Sequence, residues 1–288
     1  MTLVKMRTIG CLEVAIAACI WGSNGVIVNL IPLSSYVIAF FRVFFATVGV
    51  SIGILFYKKM ELLKAKYSLK KLIILGFLLC LGWGLLFEAM KLLPIAEAVL
   101  LNYMAPIFVT ILASIFFKEK IAKRTVISLV LSIIGIILIV FSKNGFEGIN
   151  IFGTIIGLSA GLAYAIFILL SKDALRSLSN YTLVLYSNFF AAIILAPSLI
   201  TVRLSLPWNF WLMLLILGVV NTAFAVSLFF RGLKKIKAQE AAILCYLEPV
   251  SAAFFGFLFL GQILTPIVAI GGVLVILGGY IIVSQQEA

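Results

Sequence analysis

Histidine is absent from all 288 residues. That removes the side chain most used as general base, proton relay and metal ligand near neutral pH. Charge is also scarce: 11% of residues are charged against 64% hydrophobic, and only 10 are acidic. So apolar a chain does not suit a water-soluble domain. No HExxH, GxSxG, Walker-type or GxGxxG pattern occurs. The stretches between apolar runs leave no room for a soluble catalytic or nucleotide-hydrolysing domain. Cysteine is limited to Cys11, Cys19, Cys80 and Cys245, all inside apolar runs and without metal-ligand spacing. They read as small membrane-buried residues. The expectation is therefore a non-enzyme with no metal and no cofactor.

What the chain does have is ten apolar runs, at about 11–31, 34–57, 72–90, 94–117, 125–142, 151–171, 181–200, 209–230, 238–260 and 264–284. A hydrocarbon core of roughly 30 Å takes about 20 such residues as a helix. Continuous runs point to helices, since lipid-facing barrel strands alternate apolar and polar residues. The first run does not read as a cleaved signal peptide: it contains Glu13, lacks a small-residue cleavage site and leads directly into a second span.

Lys and Arg divide unevenly between the loops. Of the 22, the N-terminus, 58–71, 118–124, 172–176 and 231–237 hold 18, and the alternate loops hold only Lys91, Lys143 and Arg203. By the positive-inside rule both termini are cytoplasmic, in a multi-pass inner or plasma membrane protein. The net charge of +12 follows from that topology. Basic clusters at helix ends, without interleaved exposed aromatics, do not suggest nucleic acid.

A shift of 143 residues lays the chain over itself. EAVLLNYMAPIFVTILASIFFKEK at 97–120 falls on EAAILCYLEPVSAAFFGFLFLGQI at 240–263. Glu97 meets Glu240, Tyr103 meets Tyr246 and Pro106 meets Pro249; Gly135 meets Gly278 at the same offset. Loop charges exchange instead: 118–124 is basic where 261–267 is uncharged, and lone Lys91 falls near the cluster Arg231, Lys234, Lys235 and Lys237. Similar helices with opposite loop charges are expected of one unit inserted twice in opposite directions. The fold class is thus an all-α integral membrane protein, ten transmembrane helices in two inverted five-helix repeats, 1–145 and 146–288, related by an in-plane pseudo-two-fold.

Ionisable groups inside a membrane are costly and face a cavity or each other. Glu97 and Glu240 begin their helices, where the macrodipole accommodates a carboxylate, and Glu13 and Glu88 lie near span ends. Arg42 and Glu248 are deeper, on the order of 12–15 Å from the surface. They read either as a buried ion pair or as groups on a substrate path. Pro106 and Pro249 mark helix breaks, tolerable only where protein or a wet cavity satisfies the freed backbone. At similar depth stand Trp21, Ser23, Asn24, Trp83, Asn102, Tyr103, Tyr164, Asn188, Asn221 and Tyr246. Singly each reads as helix packing; together they suggest an amphipathic pocket. The spacings Gly49-x3-Gly53 and Gly153-x3-Gly157-x3-Gly161 read as close helix packing.

The stretch AACIWGSNGVIVN (17–29), FFRVFFA (40–46) and the two A-x-L-x-Y-x-x-P blocks resemble the EamA-type members of the drug/metabolite transporter superfamily, over essentially the whole chain. That resemblance implies ten helices in two inverted repeats, cytoplasmic termini and a central cavity opened alternately to each side. It implies cargo such as amino acids, related metabolites or toxic compounds, with nucleotide sugars or phosphorylated sugars in relatives. Trp21, Asn24, Arg42, Tyr103, Tyr246 and Glu248 match the family pattern. One departure is Gln262, where Glu119 stands in the first copy, a difference expected to touch a capping contact.

The resulting expectation is a secondary transporter of small metabolites such as amino acids, with export favoured. Its partners would be a small-molecule substrate and the bilayer, with no nucleic acid; a homodimer is compatible with the sequence. The alternative within transport is a sugar-phosphate or nucleotide-sugar exchanger, disfavoured because Arg42 is the one cation within a span. From other classes, a membrane-embedded enzyme would need a catalytic dyad from carboxylates alone, and a lipid scramblase would need no midplane charge.

Overall fold

Among the residues that the structure describes, ten helical segments are long and apolar enough to cross a bilayer: Lys5–Leu30 (span 1), Ser35–Ile54 (span 2), Leu69–Leu92 (span 3), Glu97–Phe116 (span 4), Lys123–Val140 (span 5), Ile151–Ala174 (span 6), Asn180–Leu199 (span 7), Trp208–Leu233 (span 8), Ala238–Leu260 (span 9) and Pro266–Val283 (span 10). The structure, a computed structural model, describes residues 3–57, 68–141, 150–200, 202 and 206–284. No strand occurs among them. The helix of span 1 begins at Leu3, so Arg7 and Glu13 belong to its first turns. Most cations of the 58–71 loop, together with Lys143 and Arg203, lie outside the described residues.

Arg7 near the N-terminus donates to the carbonyls of Val283 (3.1 Å) and Ile282 (2.6 Å) near the C-terminus. Both termini therefore occupy one end of the bundle. Five crossings per copy bring the second copy in from the opposite side, so the repeats are inverted. The packing respects this relation. Spans 3 and 6 pack together, as do their counterparts 8 and 1; spans 3 and 7 match 8 and 2, and spans 1 and 9 match 6 and 4. Spans 5 and 10, and spans 2 and 7, pair with their own counterparts. At the first of these a Cβ on Gly135 would stand 2.5 Å from the Gly271 carbonyl, and one on Gly278 would stand 2.8 Å from the Ser128 carbonyl. The offset of 143 exchanges those two contacts.

Four spans are interrupted in their interior, and span 7 ends in a 3-10 turn, Ala196–Leu199. Span 1 stops at Gly22 and resumes at Asn24; span 4 stops at Asn102 and resumes at Ala105. Span 9 stops at Leu244 and resumes at Leu247, and span 8 passes through a π-helical segment, Val219–Phe224. Pro106 and Pro249 lie in the first turns of the resumed helices, where a missing N–H costs least. Outward-facing side chains such as Ile115, Phe116, Phe259 and Ile263 are exposed. In water they would form aggregation patches; around a membrane bundle they face acyl chains.

The two ends differ. At the end carrying the termini, Glu240 pairs with Arg7 (2.7 Å) and Glu13 with Lys235 (2.6 Å) and Arg231 (2.8 Å). Glu119 accepts from the Ala238 N–H at 3.1 Å and lies 3.9 Å from Lys172. Lys172 also donates to the carbonyls of Leu233 (3.3 Å) and Ile236. Every side chain from Ala238 to Tyr246 is buried there. In the equivalent stretch 95–103 of the other repeat, Ala98 alone is buried among the described side chains. At that opposite end Lys91 pairs with Glu88 (2.6 Å), which also accepts from Tyr36 (3.0 Å), and this is the one ion pair there among the described residues. The bundle is thus packed and cross-linked at its terminal end and looser at the other.

The close approach of span 1 to span 9 sets a testable limit. A Cβ on Gly22 would lie 2.1 Å from Ser251 Oγ and 2.7 Å from the Ala252 nitrogen, whereas one on Gly25 would meet nothing within 4 Å. Gly22→Ala should cost about 1–3 kcal/mol by overpacking, read as a lower melting temperature in detergent, and Gly25→Ala should leave it near wild type. Equal melting temperatures would contradict the packing described.

Candidate functional site

Each helix break frees backbone carbonyls, and inside a membrane these need partners from the protein. Much of the polar set is used for this. At the span 1 break, Ile20 O accepts from Ser23 Oγ (2.8 Å) and Asn221 Nδ2 (3.2 Å). Asn221 Nδ2 also reaches Ser23 Oγ (2.7 Å) and Asn24 Oδ1 (2.9 Å), and the Asn221 carbonyl accepts from Trp21 Nε1 (2.9 Å). Trp21 and Asn221 are both buried. They fasten span 1 to the π-helical segment of span 8. Asn188 is buried too and donates to the Val184 carbonyl (2.7 Å) within its own helix.

At the span 4 break, the Tyr103 carbonyl accepts from the Tyr246 hydroxyl at 2.7 Å, and the two rings meet edge to face at 6.3 Å. These residues are 143 apart, so each touches its own repeat counterpart and the pair lies on the pseudo-two-fold. Tyr246 is buried and Tyr103 is half-buried. The Tyr246 bond therefore breaks the symmetry in favour of one arrangement of the two repeats.

The remaining members of the set are less fully packed. Arg42, Trp83, Tyr103, Tyr164 and Glu248 sit well inside their spans yet keep partial exposure. Arg42, Trp83 and Glu248 have their partners or neighbours in other spans, which sets them inside the bundle and not on its lipid face. Arg42 Nε donates to Thr222 Oγ1 at 2.7 Å, and the Thr222 hydroxyl donates to the Leu217 carbonyl at 2.8 Å. The guanidinium lies over the Trp83 ring, 5.2 Å from its centroid, a cation–π placement that holds the charge in a partly desolvated site. Glu248 is within electrostatic reach of Arg42, Tyr103 and Tyr164, but no ion pair within 4 Å joins it to Arg42. Asn24 and Asn102 are half-buried, Asn24 facing Asn221 and Asn102 at the end of the first half-helix of span 4.

Two contributors were not legible in the sequence. Thr222, which anchors Arg42, lies in an otherwise apolar run, and its only signal is adjacency to Asn221. Cys245, read as an inert buried thiol, stands beside Tyr164 in the interior. One expectation needs correction. Gly153, Gly157 and Gly161 do pack against span 4, through Leu93, Leu101 and the backbone at 101–105, but Gly49 and Gly53 do not mark a helix contact. A Cβ on Gly53 would meet nothing within 4 Å, one on Gly49 would meet Val219 Cγ2 at 3.7 Å, and both glycines line a cavity. Among the described residues no cluster of His, Cys, Asp or Glu could hold a metal ion.

A paired, inverted bundle with a charged and aromatic interior defines a membrane transporter. The sequence profile of the EamA-like transporter family matches this chain twice, at residues 8–141 and 151–284, and the chain belongs to that family. An uncharacterized transporter of Archaeoglobus fulgidus is 29% identical over 274 residues, spanning 95% of each chain. The uncharacterized transporter YxxF of Bacillus subtilis is 26% identical, over 89% of this chain and 84% of its own. The pseudopaline exporter CntI of Pseudomonas aeruginosa is 25% identical, over 83% of this chain and 82% of its own. A solved chain described as "Crystal structure of protein" has the same fold, with a TM-score of 0.82 at 17% identity over 94% of this chain and 95% of its own.

If Asn221 is a fastener, Asn221→Ala should lower stability by about 1–2 kcal/mol, in line with interhelical hydrogen bonds in membranes, whereas Glu248→Gln should leave the melting temperature near wild type. Calorimetry or a fluorescence melt in detergent reads both. The reverse ranking would mean that Glu248 is the structural group.

Proposed function

We propose that this chain is a secondary transporter that exports small zwitterionic metabolites, amino acids first, through the central cavity by alternating access. The observation that carries the reading is the relation of Arg42 to Glu248: two ionisable groups of opposite sign well inside their spans, close enough to feel one another but without an ion pair. Each charge at such depth would cost about 2.5–3.5 kcal/mol or more on insertion scales, so each favours a partner. A carboxylate at Arg42 and an ammonium at Glu248 would supply both. Trp83, Tyr103 and Tyr164 would cover the apolar part of the cargo, and the helix breaks in spans 1, 4, 8 and 9 supply hinges. No nucleic acid, cofactor or metal has a part in this scheme.

The uneven loop charges support cytoplasmic termini, and on that orientation the ion-paired end is the cytoplasmic gate, closed, with the cavity leading outward. Export accords with the relative named as a pseudopaline exporter. A phosphorylated cargo is less well served, because a dianion would need more than Arg42 and its neighbour Glu248 would repel it. Uptake and efflux in proteoliposomes with a labelled amino-acid panel tests the cargo class. Arg42→Leu and Glu248→Leu should each reduce transport at least about tenfold, the order expected when a buried charge loses its cargo contact. The double variant should stay inactive. Full transport by the double variant would show that the two groups merely neutralise each other.

Alternating access makes a second prediction. If the repeats exchange conformations, the Tyr103 hydroxyl would donate to the Tyr246 carbonyl in the inward-open state. Tyr246→Phe should then favour inward opening and Tyr103→Phe outward opening, each by about fivefold, the equivalent of one hydrogen bond. Thiol labelling of Ala241→Cys, buried in the present state, should rise in the first background and fall in the second. Labelling unchanged by either substitution would remove these tyrosines from the switch.

A further inference from the structure

A second cavity, of about 530 Å³, lies on the side of the bundle between spans 2, 7 and 8. Gly49 and Gly53 form one wall, Asn180 and Tyr181 stand at the start of span 7, and Val219 and Arg231 belong to span 8. Its size falls within the ~300–1,000 Å³ of small-molecule sites. It is separate from the central site and none of the groups assigned to cargo lines it. Val219, Phe224 and Ile52 around it are exposed on the lipid-facing surface, so the medium at its mouth is hydrocarbon. At its terminal end stands Arg231, whose side chain is 53% exposed. Arg231 engages Glu13 through Nε at 2.8 Å and leaves about half of its side chain exposed. Lys234 follows one turn later, also exposed. An apolar slot inside the membrane, ending in cations at the level of the phosphates, has the shape and charge of one lipid species.

We propose that this lateral cavity is a binding site for a single anionic phospholipid, with an acyl chain against Gly49 and Gly53 and the phosphate on Arg231. The inference goes beyond cargo transport and does not depend on what the cargo is. The wall formed by Val219 and Ala223 is the outer face of the π-helical segment whose inner face presents Asn221 and Thr222. A bound lipid would therefore brace the segment that holds Arg42 and Trp21.

The glycines make the site testable without disturbing the fold. Gly53→Leu has open space to fill, so it should block the slot while the melting temperature in lipid-free detergent stays at the wild-type value. Native mass spectrometry after exposure to equimolar phosphatidylglycerol and phosphatidylcholine should show one retained phosphatidylglycerol on the wild type. The preference should be about fivefold, the size of a single cation–headgroup contact. Gly53→Leu should lose that lipid, Arg231→Gln should lose the preference and Arg231→Lys should keep it. Equal retention of the two lipids by wild type, or unchanged retention by Gly53→Leu, would overturn the proposal.

Discussion

A helix broken inside a membrane must give its freed backbone groups to other parts of the protein, because lipid offers none. Four spans of this bundle are broken or loosened, and the breaks in spans 1, 4, 8 and 9 come together at mid-depth. Ile20 O is taken by Ser23 and Asn221, Tyr103 O by Tyr246, Leu217 O by Thr222 and Asn221 O by Trp21. The side chains that settle these carbonyls also fix the cavity wall. Thr222 is the clearest case, since one hydroxyl closes the backbone of span 8 and anchors Arg42.

This constraint separates committed side chains from available ones. Trp21, Asn221 and Tyr246 are buried with their hydrogen bonds committed to backbone or to one another. Arg42, Trp83, Tyr103, Tyr164 and Glu248 keep partial exposure. Holding the second group still requires the first, so the polar cluster acts as a rigid frame around a small number of available groups. At the terminal end, Arg7, Glu13, Glu119, Lys172, Lys235 and Glu240 hold the same frame shut. Glu119 also receives the first N–H of span 9, whereas the side chain of its counterpart Gln262 lies beside Gly256.

Much of the fold was legible because membranes impose coarse rules. Apolar run length located the ten spans, and the offset of 143 paired Tyr103 with Tyr246 before any contact between them was known. The span 1 helix begins earlier than its apolar run because Arg7 finds its partner, Glu240, across the bundle, which no local window records. The π-helical segment at Val219–Phe224 carries neither proline nor glycine; its widening depends on partners in spans 1 and 2. Gly49 and Gly53 have the spacing of a packing motif, yet here an added Cβ would meet only ordinary contact at Gly49 and open space at Gly53. Spacing shows that a close approach is allowed, and only tertiary structure shows whether it is used. For the same reason the depth of Arg42 and Glu248 could be counted along the chain, while the absence of a direct pair between them could not.

The central claim is that cargo bridges Arg42 and Glu248, and the most direct measurement is equilibrium binding to the purified protein across three matched ligands. These are a neutral amino acid, its decarboxylated amine and its deaminated acid, each compared by isothermal titration. If both charges receive cargo, the zwitterion should bind at least about tenfold more tightly than either analogue, as loss of one buried charge contact implies. Equal affinity for all three would contradict the account.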